Sequence, residues 1–117
     1  MSTLTQRSLP ILALALAAFV AYPAAAQQSG AAVITQYFGA AEAMNLCGTK
    51  LTDAQIARVS QLVQERGGAT VPAGDMIALV QQGEDSTRVR RFGLNGCNDP
   101  IVQDRLNFFR TTIQPGL

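Results

Sequence analysis

The sequence predicts an all-α protein, a small bundle of four or five short helices stapled by one disulfide. Three observations predict it. Apolar residues recur at steps of three and four in several separate stretches, the period of a helix with one buried face. Capping residues, prolines and glycines bracket those stretches where helix starts and stops need them. Two cysteines, Cys47 and Cys97, enclose the middle of the pattern.

The first 26 residues read as a leader, outside the fold. Met1–Ser8 is short and polar, with Arg7 as its charged side chain. Leu9–Ala21 is an apolar run of 13 residues, broken by Tyr22-Pro23 and followed by Ala24-Ala25-Ala26. Charged, apolar, then small is the order of a secretory signal peptide, with cleavage expected after Ala26. The run falls short of the roughly 20 apolar residues that a membrane span needs. Nothing in 27–117 could span a membrane, and no cysteine stands at the cleavage point to carry a lipid. The expected address is periplasmic or secreted. The remainder, 27–117, is the size of a single small domain.

The first helix is expected from about Ala31 to Cys47, on Val33, Tyr37, Ala40, Met44 and Cys47, with Ile34, Phe38 and Ala41 widening the stripe. Gly39 marks a close helix crossing, and Gly48 is the stop. Gln27–Gly30, ahead of it, is expected to be disordered. The second helix begins at the capping box Thr52-Asp53-Ala54-Gln55, with Leu51 and Ile56 placed as a hydrophobic staple. Ile56, Val59, Leu62 and Val63 face the core, and Gly67-Gly68 ends the helix. The third runs from about Pro72 to Gln82, with Met76, Ile77, Leu79 and Val80 as its apolar face and Gly83 as its stop. Segment 83–99 is turn-like at both ends; Thr87–Phe92 is read as a helical turn with Val89 and Phe92 facing in, an extended stretch being the alternative. The last helix starts at Asn98-Asp99-Pro100, buries Val102, Leu106, Phe109 and Ile113, and frays after Pro115-Gly116. Phe108 and Phe109 are expected in the core or at its edge.

Export changes the chemistry expected of Cys47 and Cys97. A cysteine pair in a small exported domain reads as an intramolecular disulfide. Two free thiols and an intermolecular bridge are the alternatives. A closed loop of 49 residues would contribute about 4 kcal/mol by limiting the unfolded chain. No Cys-x-x-Cys motif points to redox catalysis.

Charge and composition exclude more than they assign. Beyond Arg7, eight basic and eight acidic residues balance, so a basic nucleic-acid-binding domain is not expected. The chain has no His, which removes the usual general base and the common zinc and haem ligands. No catalytic residue, metal ligand or cofactor site is expected. Glu84-Asp85 reads as a solvated turn, because neighbouring side chains point apart. Asp53, Asp75 and Asp99 lie near helix starts and read as caps. Ser29, Ser60 and Ser86 have no base to activate them. One feature is asymmetric: Arg88, Arg90 and Arg91 lie within four residues, and guanidinium groups suit carboxylates and phosphates. They form a candidate binding patch for a protein or an anionic component of the envelope. The expectation is therefore a non-enzymatic binding protein of the cell envelope.

The format, a small exported helical chain with a cysteine pair enclosing about fifty residues and a helix after the second cysteine, is similar to that of the HdeA-type periplasmic acid-stress chaperones. That resemblance rests on Cys47 and Cys97 alone and implies an alternative function. Such a protein would open in acid and hold clients through exposed apolar surface.

Overall fold

The computed structural model describes residues 29–117. The expected leader, its cleavage point and residues 27 and 28 lie outside the described residues. Ser29 and Gly30 are not disordered: the Ser29 hydroxyl accepts the Ala32 amide at 3.1 Å and caps the first helix. Four α-helices follow, α1 Gly30–Cys47, α2 Asp53–Glu65, α3 Ala73–Arg91 and α4 Pro100–Phe108. There is no strand among the described residues. The all-α fold with its Cys47–Cys97 bond is as the sequence predicts.

Helix α1 lies at the centre. Val33, Ile34, Tyr37 and every residue from Gly39 to Ala43 are buried, more of the circumference than a single stripe would cover. A helix covered on most of its circumference shows little polar surface, here Gln36, and the small residues Gly39, Ala40, Ala41 and Ala43 let three neighbours approach it. Helix α2 runs back antiparallel: Asn45 Oδ1 accepts the Leu51 amide at 2.8 Å, and Arg66 donates to the Tyr37 hydroxyl at 2.9 Å. The capping box at Thr52 forms as expected. Val59, Leu62 and Val63 are buried, whereas Ile56 is exposed. Gly67 then takes φ +121°, which side-chain-bearing residues rarely adopt. The turn Gly68–Thr70 returns the chain to the start of α1, where a Cβ on Gly30 would stand 2.6 Å from the Gly67 carbonyl.

Helix α3 corrects the third element. It does not stop at Gly83 but continues to Arg91, so Glu84-Asp85 is helical and the extended alternative fails. The reason is packing. Gly83 faces α1, and a Cβ there would meet the Thr35 carbonyl oxygen at 2.5 Å. Gly39 faces back, its own Cβ position 3.1 Å from the Gly83 carbonyl. Contacts of Thr35 with Gly83, Gly39 with Thr87 and Glu42 with Arg88 rise together in number, so α1 and α3 run parallel. A glycine that looks like a breaker in sequence is the contact point of two helices.

Continuing the helix also turns Val89 and Phe92 outward. Both were expected in the core, and both are exposed. The turn-like Gly93–Gly96 is present, with Gly96 at φ +53°. Asp99 caps α4, accepting the Ile101 and Val102 amides, with Pro100 in the first turn. The stripe Val102, Leu106, Phe109 and Ile113 is fully buried, although its last turn, Phe109–Ile113, widens to a π-helix. Phe109 is core, and Phe108 at its edge meets Tyr37 edge-on at 5.5 Å. The C-terminus is pinned, contrary to the expected fraying: Arg58 donates to the Gly116 carbonyl at 3.0 Å and Arg66 to that of Thr112 at 2.9 Å.

Candidate functional site

Helix α3 carries the three arginines of the candidate patch into its last turn. There they oppose the partial negative charge of a helix C-terminus. Successive residues of a helix are about 100° apart, so the three do not share a face. Each has its own surroundings.

Arg88 is occupied. Its guanidinium reaches Glu42 at 3.2 Å, Asp85 at 3.0 Å and Glu84 at 4.0 Å. The neighbouring carboxylates, Glu42 first, hold its pKa above the ordinary guanidinium value. Glu42 is buried on α1, and Arg88 compensates its charge. Glu84 stands beside Glu42. Burial raises the Glu84 pKa above its ordinary value of 4.5; a hydrogen bond with Glu42 and the charge of Glu42 add to this. This cross-helix carboxyl pair was not legible in sequence, where the two residues stand far apart.

Arg90 is held loosely, 3.9 Å from Asp99. Arg91 makes no ion pair among the described residues. Its guanidinium lies over the Phe92 ring, 5.5 Å from the centroid, and its Nε–H is buried without a partner. The structure thus separates one structural arginine from two available ones.

What sequence reasoning missed stands next to those two. Val89 and Phe92 are each 73% exposed, and Leu94 in the following turn is 105% exposed. Val89 and Phe92 are three residues apart, hence on one side of the helix end. An exposed apolar residue is ordinary by itself. Ile77, expected on the core face of α3, is also exposed, but it stands alone; three within six residues, at the tip of α3 and beside two available guanidinium groups, form a mixed apolar and basic projection. The signal was present in the spacing. Met76, Val80, Gly83 and Thr87 stand at steps of four, three and four and fix the buried face of α3. Val89 and Phe92 are out of phase with it.

A concavity lies between α1 and α4. This open groove of about 390 Å³ is lined by Gln36, Ile101, Asp104, Arg105, Asn107, Phe108 and Thr111. Arg105, at its wall, also donates from Nη1 to the Thr87 hydroxyl at 2.6 Å. Burial, and then the charge of Arg90, lower the Arg105 pKa; a guanidinium nonetheless stays charged. No group of three or more His, Cys, Asp or Glu positioned to hold a metal occurs among the described residues. No helix among them is long and apolar enough to cross a membrane. Comparison with protein-family models, with curated proteins and with solved structures finds no match to the chain.

Proposed function

We propose that the chain is a small exported protein of the cell envelope, in the periplasm or secreted, that acts by binding and not by catalysis. The observation that carries the reading is the projection at the end of α3, where Val89, Phe92 and Leu94 are exposed beside Arg90 and Arg91. Export is supported by the leader-like order of residues 1–26 and by the disulfide, since such bonds persist in oxidising compartments. A binding role is supported by the position of the patch: these side chains support no part of the core, so their apolar surface is free for another molecule.

A photo-crosslinking residue at position 92 in the exporting cell tests the reading. An adduct is expected from position 92 and not from Gln64, an exposed residue of α2. No adduct from position 92 would overturn it. Intact mass tests the export arm: a purified envelope form that retains Met1–Ala26 removes leader cleavage.

The acid-stress chaperone is the second reading, favoured only by the format of the disulfide loop. It requires that the protein keep an aggregating client in solution in strong acid and not at neutral pH. Light scattering of the client in the presence of the protein decides between the two.

A further inference from the structure

We infer that the partner of the α3 tip is an anionic lipid surface, on which Val89, Phe92 and Leu94 enter the interfacial layer while Arg90 and Arg91 contact lipid phosphates. The inference rests on the binding reading above and names its occupant. Three features favour a lipid surface. The first is shape. Leu94 is 105% exposed at the head of a turn and Phe92 is 73% exposed beside it, so the patch projects and forms no groove. A projection needs a soft partner that closes around it.

The second is size. Three such side chains offer on the order of 400 Å² of apolar surface, half of the roughly 800 Å² that each partner brings to a standard protein interface. Shallow insertion of a few apolar groups, assisted by basic ones, is how peripheral proteins hold a bilayer. The third is charge. Arg91 has no carboxylate partner among the described residues, and Arg90 has only a long contact with Asp99. Asp85, the acid nearest to Val89 along the helix, is already paired with Arg88 at 3.0 Å. The charge left without a close carboxylate is that of Arg91, with Arg90 only loosely engaged, and a phosphate-bearing surface complements it.

The chain contains no Trp, so Phe92→Trp supplies a single reporter at the tip. The exported protein carrying it is mixed with vesicles of phosphatidylglycerol or of phosphatidylcholine. A blue shift of the emission with phosphatidylglycerol alone, weakened by salt, is expected. An unchanged emission with phosphatidylglycerol overturns the inference, as does an equal shift with both lipids.

Flotation of the Phe92→Ser, Leu94→Ser double variant gives the independent measure. Both side chains are exposed, so helix content by circular dichroism should match the parent. Vesicle binding should fall about a hundredfold, since each of the two lost apolar contacts is worth about tenfold. Binding equal to the parent's overturns the inference. The crosslink at position 92 separates the two levels. A protein adduct without vesicle binding removes the lipid and keeps the binding reading; no adduct to lipid or protein removes both.

Discussion

Thr87 shows how much one side chain contributes when it is buried among three helices. Its hydroxyl oxygen is 2.9 Å from the Gly39 carbonyl and 3.2 Å from that of Gly83, between which it shares its proton. The same oxygen accepts from Arg105 of α4. Thr87→Val keeps the shape but removes the hydroxyl that accepts from the half-buried Arg105 guanidinium. An unsatisfied buried group costs about 1–3 kcal/mol, and denaturant unfolding should read a loss in that range. Glu84 makes the opposite kind of contribution. Its folded pKa lies above the ordinary 4.5, so the folded protein retains a proton that the unfolded chain has released. Stability from this group is therefore present below about 4.5 and is lost as the pH rises through the folded value. Glu84→Gln should raise the midpoint of thermal unfolding at neutral pH, with the difference from the parent vanishing at and below that ordinary value. A midpoint lowered at neutral pH would show that the Arg88 contact outweighs burial.

At the scale of the element, the crossing of α1 and α3 decides what was legible in the sequence. The caps and stripes of α1, α2 and α4 rest on contacts within one helix, and local spacing exposes them. Thr52 with Gln55 and Asp99 with Pro100 are examples. The course of α3 depends on Gly83 meeting Thr35, a contact between residues far apart in the chain. Pattern reading counts glycine as a breaker and threonine as polar, and so ends the helix at Gln82, nine residues before Arg91. The same error conceals the exposure of Val89 and Phe92, and with it the apolar half of the candidate site. The arginines themselves were legible as a cluster, but the Glu42 partner that removes Arg88 from it was not. Gly83→Ala separates the two accounts of this residue. Helix propensity alone favours alanine by about 1 kcal/mol, whereas overpacking against backbone costs about 1–3 kcal/mol. With a Cβ placed 2.5 Å from a carbonyl oxygen, the clash wins. Chemical denaturation should show net destabilisation; a gain would mean that α1 and α3 separate without cost.

For the whole molecule, the bond between Cys47 and Cys97 joins the end of α1 to the approach to α4. Cys47→Ser with Cys97→Ser should lower stability by about 2–5 kcal/mol, the usual loss for a small domain deprived of its disulfide. Urea unfolding of the oxidised parent and of the double variant at neutral pH measures it; equal midpoints would show that packing around α1 suffices without the bond. The bond also sorts the chain into two mechanical classes. Helices α2 and α3 lie inside a covalent ring, while α1 and α4 form the two arms attached to it. Tension applied between the ends of the chain passes along α1, across the two sulfur atoms and out along α4, bypassing the ring. Pulled in an optical trap, the oxidised protein should therefore extend only by the length of its arms. Reduction should release the contour of the ring, about 170 Å at full extension of the enclosed residues.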